Sequence, residues 1–346
     1  MVPHPIDSAH LDPRVRDLPV LVLDDRPQGL RIRFRAIPAG SFVMGSRGFS
    51  SFEEPQHTVI IPPIPGRTDG VAFWLAETPV TQRQFRLWTK SRSYAAWRRQ
   101  AWQDETHSNH FQDRDEAPAE SVTWFEANGY CNWLSSRPWS SDSLALLADS
   151  PTHFGLPLEI EWEYACRAGS DTEYWSGDGE AALGDVGWFG REWESGTLLV
   201  GELPASGFGL FDMHGNVREW CFDPWEDEPY RDRLPIHEHH PAAIRQAIRQ
   251  DEDSRRNRVT RGGAFDYSAW GCRSACRFWR GPGFRGGWMG FRVCLFPGPG
   301  VQPASPAKAR SERARAGKAR GEPDRAAARS DADSIESLRL PPRRRR

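Results

Sequence analysis

Apolar and polar residues alternate through Leu30-Arg-Ile-Arg-Phe-Arg-Ala36, the period of a half-buried strand. A second run, Ser41-Phe-Val-Met-Gly45, follows Pro38-Ala-Gly40, and together they predict a hairpin. Phe73-Trp-Leu75 reads as a strand leading into Thr81-Gln-Arg-Gln84, a capping-box pattern that predicts a helix to about Lys90. The same pattern recurs at Thr123-Trp-Phe-Glu126, where Trp124, Ala127, Cys131 and Leu134 share one helical stripe, so Cys131 belongs to the core. Pro157, the acids Glu159 and Glu161, and apolar Leu158, Trp162 and Ala165 announce a third helix. From about Gly169 helical periodicity ceases, apart from Ala242 to Gln250, and the chain becomes rich in Gly, Trp and Asp. The expected class is α+β: an irregular, loop-rich domain with few helices and short antiparallel strands.

Composition sharpens this picture. Sixteen Trp and 18 Phe beside 31 Gly and 28 Pro describe loops pinned by large aromatic anchors, which argues against a helix bundle. No stretch approaches the ~20 apolar residues of a membrane span, and Met1 to Leu11 lacks the regions of a signal peptide, so a soluble cytoplasmic protein with no membrane partner is expected. The six cysteines show no repeated CxxC spacing, and most read as buried thiols. Residues 298–346 hold 13 Lys/Arg against 6 Asp/Glu, a charge of +7 that leaves −9 for residues 1–297. Weak polyanion contact therefore falls to the tail. That tail is Pro-, Ala- and Arg-rich with few large apolar residues, and reads as disordered. The organisation expected is a lead-in over 1–29, a folded domain over 30–297 and the basic tail over 298–346.

Eight stretches occur in an order that resembles the sulfatase-modifying-factor (formylglycine-generating enzyme) superfamily, whose fold is C-type-lectin-like. They are Ile37-Pro-Ala-Gly-Ser-Phe-Val-Met-Gly-Ser46, Glu54-Pro-Gln-His-Thr-Val59, Glu77-Thr-Pro-Val-Thr81, Ser121-Val-Thr-Trp124, Leu156-Pro-Leu-Glu-Ile-Glu-Trp-Glu-Tyr-Ala165, Gly207-Phe-Gly-Leu-Phe-Asp-Met-His-Gly-Asn-Val-Arg-Glu-Trp220, Arg261-Gly-Gly263 and Gly290-Phe-Arg292. The resemblance implies a calcium loop in which Asp212 and Glu219 give carboxylates while Gly215 and Val217 give carbonyl oxygens. In the alternative, Asp212 caps the turn and Glu219 pairs with an arginine.

The family's oxidase reaction, as the resemblance implies it, uses two cysteines five positions apart after the Gly-Gly motif; they bind Cu(I) and convert a substrate cysteine to formylglycine. Counting from Gly262-Gly263 places Tyr267 at the first position and Cys272 at the second. Cys272 and Cys276 are four apart and do not restore the pair, although two nearby thiols remain candidates for redox or metal chemistry. The superfamily's iron-dependent sulfoxide synthases carry a His-x-x-x-His-x-Glu motif that this chain lacks; His107, His110, His237 and His240 lie in polar surroundings.

Between Phe265 and Trp288, aromatic residues alternate with glycine and arginine. Tyr267, Trp270, Phe278, Trp279, Phe284 and Trp288 are either core or a ligand-binding face, and they resemble the binding face of C-type-lectin-fold members, including variable proteins diversified by retroelements. Two functions follow: a non-oxidising module that binds a peptide or protein, or a divergent oxidoreductase that oxidises protein cysteine to formylglycine.

Overall fold

The computed structural model describes residues 8–25, 29–101, 106–112, 114–139, 152–227, 236–238, 244–246, 248 and 255–297. Its early elements are α1 (Pro13–Arg16), β1 (Val20–Asp25), β2 (Leu30–Pro38), β3 (Gly40–Met44), β4 (His57–Ile61) and β5 (Val71–Ala76). The longer helices follow: α2 (Gln82–Thr89), α3 (Arg92–Ala101) and α4 (Trp124–Ser135), then β6 (Thr152–Gly155), α5 (Glu159–Arg167) and α6 (Gly179–Gly184). Short strands complete the chain: β7 (Arg218–Pro224), β8 (Ile236–Glu238), β9 (Arg258–Arg261), β10 (Arg277–Arg280), β11 (Met289–Gly290) and β12 (Cys294–Pro297). The helix expected over Ala242 to Gln250 and the tail from 298 lie outside the described residues, the former except for a few positions.

The strands form three sheets, with orders β1-β2-β5-β12-β6, β10-β9-β7-β11 and β3-β4-β8. The expected hairpin of β2 and β3 does not form. β2 pairs with β1 and β5, whereas β3 pairs with β4 in another sheet. Ala39 alone separates the two strands, fewer than the two residues of the tightest common hairpin loop, and a register shift at Pro38 turns the chain away. Within the expected lead-in, residues 20–25 are part of the fold, because β1 pairs along its whole length with β2 and buries Leu21 and Leu23.

Both expected capping boxes are present. Thr81 accepts from the Gln84 amide while Gln84 reaches back to the Thr81 amide, and Thr123 and Glu126 do the same at α4. One apolar cluster joins the five-stranded sheet to α2 and α4 through Phe34, Trp74, Trp88, Tyr130 and Phe291. A second surrounds α5 with Trp162, Tyr164, Phe208 and Met213. Cys131 is buried in the first, as its stripe predicts.

Arginine–glutamate pairs run through this interior. Glu159 meets Arg261 and Arg277, Glu161 meets Arg245, and Glu163 meets Arg167 and Arg261. A buried pair contributes little net stability, but removing one partner leaves an uncompensated charge and costs about 3–5 kcal/mol. Through Arg261 and Arg277 these pairs fix β9 and β10 to α5.

Candidate functional site

The loop Asp212–Glu219 enters β7 through three left-handed positions, Asp212, Gly215 and Asn216. Asp212 has φ 55° and Gly215 has φ 79°, and a Cβ at Gly215 would run into the Trp188 carbonyl. One Asp212 oxygen accepts from the Gly201 amide at 2.8 Å, and the other from Asn216 Nδ2 at 3.4 Å. Burial pushes the Asp212 carboxyl up to about 6. Glu219 is held by other partners. Arg292 Nη2 donates to its Oε1 at 2.9 Å, Arg292 Nε lies 3.2 Å from both oxygens, and Trp162 Nε1 donates to Oε2 at 2.8 Å. These bonds occupy the acceptor sites of the carboxylate, so Glu219 does not fit the role of calcium ligand in this arrangement. Val217 is buried and Gly215 donates its amide to the Gly262 carbonyl. Among the described residues, no group of three or more His, Cys, Asp and Glu side chains could hold a metal ion.

His214, from the same loop, lies under the C-terminal segment. Its Nδ1 is 2.8 Å from the Cys272 carbonyl, and the Trp175 amide donates to Nε2 at 3.2 Å, an arrangement that requires the neutral ring. Burial lowers its pKa to about 4.

Cys272 and Cys276 are both fully buried. Burial raises the Cys272 thiol to about 12 and raises Cys276 as well. Both sulfurs are closed off from solvent in this arrangement, so Cu(I) would reach them only if the covering segment moved. Tyr267, at the position counted for the missing cysteine, packs edge-on against Trp288 with centroids 5.5 Å apart.

All six aromatic residues singled out by sequence are half-buried, neither sealed in the core nor fully free. Five form one run. Trp270 meets Phe278 at 6.3 Å, Arg218 lies between Phe278 and Tyr267, Tyr267 meets Trp288, and Trp288 meets Phe284 at 5.4 Å. Arg280 lies over both Phe284 and Trp288. Trp279, next along β10, points to the other face and meets Trp225, 6.5 Å away, as strand alternation requires. Sequence reading missed the extension at the Trp270 end, where Arg273 lies between Trp270 and exposed Phe49. Beside it opens a polar cavity of about 230 Å³, lined by Ser46, Phe49, Arg167, Glu173 and Arg273 among others. His107 and His110 pack against Phe85 and Trp193 respectively, so each ring has an aromatic neighbour. His237 lies in β8 and His240 outside the described residues.

Three small sheets with few helices, a helix of buried glutamates and an aromatic C-terminal face define a formylglycine-generating-enzyme-like, C-type-lectin-like domain. Residues 25–295 match the family model of the sulfatase-modifying factor enzyme 1-like domain, and the chain belongs to that family. It is 30% identical over 236 residues to a formylglycine-generating enzyme of Mycobacterium tuberculosis, covering 53% of this chain and 71% of that protein. It is 27% identical to the serine/threonine-protein kinase pkn1 of Chlamydia caviae, over 77% of this chain and 38% of the kinase. The fold is similar to Treponema denticola variable protein 1, with TM-score 0.57 at 23% identity, covering 80% and 99% of the two chains. PvdO from Pseudomonas aeruginosa has TM-score 0.54 at 23% identity, covering 79% and 97%.

Proposed function

We propose that this protein is a non-oxidising member of its family that recognises a peptide or protein segment through the aromatic and arginine face of its C-terminal segment. The observation that carries the reading is the half-burial of the whole aromatic set, with five rings in one run. Core residues would be sealed; rings held by neighbours yet partly open give contact area at small entropy cost. Two features support the absence of oxidase chemistry: Tyr267 occupies the first copper position of the resemblance, and the thiols of Cys272 and Cys276 are buried. A phenol cannot replace a thiolate on Cu(I).

Two measurements test this. Incubation with a sulfatase-type cysteine peptide, Cu(I) and oxygen should produce no peptide lighter by about 18 Da, the signature of formylglycine. A copper-dependent product that vanishes in Cys272→Ser and Cys276→Ser would establish the oxidoreductase instead. Panning a random displayed-peptide library should enrich sequences on the wild type, and Trp288→Ala should lose them while its melting temperature stays within a few degrees. Enrichment that survives Trp288→Ala would move recognition off this face.

A further inference from the structure

From Tyr267 to Pro297 the chain carries five arginines and no aspartate or glutamate. Glutamates from elsewhere in the fold come in to meet them: Arg273 takes Glu53, Arg277 takes Glu159, Arg285 takes Glu126 and Arg292 takes Glu219. Each glutamate is engaged through both its oxygens. That regularity is what buried guanidinium groups require, since the cation keeps its charge and needs compensation away from water.

Arg218 breaks the pattern. It projects from β7 toward the same segment, is 1% exposed, and meets no carboxylate among the described residues. Its Nη1 lies 3.3 Å from the Thr260 carbonyl and its Nη2 3.4 Å from the Gly271 carbonyl, both at the long limit for a hydrogen bond. Its Nε has no partner, and neither does the buried hydroxyl of Thr260. The register puts these groups together: Trp220 and Phe278 both stand opposite Thr260, and Arg218 is two residues before Trp220, so Arg218, Thr260 and Phe278 share one sheet face. The rings of Phe278 and Tyr267 cover the guanidinium at 4.4 and 4.9 Å. Ring faces and two long carbonyl contacts supply less than a bidentate carboxylate would. Both rings are half-buried, so a ligand group reaches the cation by moving one ring rather than by opening the sheet.

We infer that Arg218 is the anion-receiving point of this face, and that the ligand is an acidic segment placing a carboxylate between Tyr267 and Phe278, where Arg218 Nε and the Thr260 hydroxyl await an acceptor. The inference rests on the recognition role proposed for the face and adds the ligand's chemistry. The ligand's flanking residues lie on Trp288 and Trp270, and its carboxylate gives Arg218 the acidic partner that the fold does not supply among the described residues.

The test uses the full chain and two kinds of probe. Among fluorescein-labelled, C-terminally amidated peptides of sequence Gly-Trp-X-Phe-Gly, the one with X = Glu should bind roughly tenfold tighter than X = Gln, and X = Lys weakest. Gly-Trp-Gln-Phe with a free C-terminus separates a terminal carboxylate from a side-chain one. The difference between Glu and Gln should vanish in Arg218→Gln and persist in Arg280→Gln. Separately, 3-phenylpropionate should raise the wild-type melting temperature and shift the Arg218 Nε–H resonance, whereas 3-phenylpropionamide should do neither. This second measurement needs no variant, so a misfolded Arg218→Gln does not remove the test. Equal binding of the Glu and Gln peptides, or an Arg218 resonance unmoved by phenylpropionate, overturns the inference while leaving peptide recognition standing. A phenylpropionate response with no binding of any peptide upholds the carboxylate site and rejects the peptide reading.

Discussion

His214 shows how a single residue ties the Asp212–Glu219 loop to the C-terminal face. It donates to the Cys272 carbonyl and accepts from the Trp175 amide, so a second proton on Nε2 would meet a donor. Because its folded pKa, about 4, lies below the ordinary histidine value, the unfolded chain binds more protons between pH 4 and 6.5. Its stabilising effect is therefore complete above 6.5 and is lost as pH falls toward 4. The difference in melting temperature between wild type and His214→Gln should narrow across that window; a constant difference would show that the ring is not held neutral. Glu219 gives a second test. Glu219→Gln leaves Arg292 uncompensated and should cost about 3–5 kcal/mol, equally in calcium and in chelator. A loss seen only with calcium present would restore Glu219 as a calcium ligand. That Tyr267 falls at the first copper-cysteine position could be read only through the family resemblance, which supplies the count from Gly262-Gly263. Arg218 could not, because its significance is a missing partner, which no one-dimensional pattern records. The roles of Glu159 and Glu161 were half legible: they open α5 as the sequence suggests, but they also answer arginines more than 80 residues away. An acid-free run of five arginines was the available signal that glutamates elsewhere must come inward.

Elements were legible where the cause is local. The capping boxes at Thr81 and Thr123 specify where α2 and α4 begin, since both halves of each box lie within four consecutive residues. Strand partners were not legible, because alternation reveals a strand without saying what lies beside it. β1 is the clearest instance: Val20-Leu-Val-Leu23 is short and flanked by charged and proline residues, and only its pairing with β2 makes it part of the domain. Deleting residues 1–25 removes this edge strand and the fully buried Leu21 and Leu23, each worth about 1.5–3 kcal/mol of burial. Thermal unfolding of the truncated protein should shift down sharply or lose cooperativity. A melting temperature within a degree or two of wild type would return these residues to the status of a lead-in.

The molecule as a whole divides by charge more sharply than by sequence pattern. Residues 1–297 carry −9 and residues 298–346 carry +7. The family match ends at 295, and the last described strand ends at Pro297. The order of the eight motifs made the family readable, since a fold built from loops must hold each loop by its own anchor and so keeps the anchors in sequence. The tail contains no such anchor. Removing residues 300–346 takes away no described strand, ion pair or ring contact, so the melting temperature should change by less than a few degrees. Its charge predicts a separate effect. Thirteen basic residues, four of them consecutive at Arg343 to Arg346, attract a polyanion in a way that salt screens. The full chain should be retained on a heparin column at low ionic strength and released as salt rises toward 0.5 M, while the truncated chain, negative overall, should pass through. Retention of the truncated chain would place the polyanion contact on the folded domain, and the arginines of the aromatic face would then be the first to test.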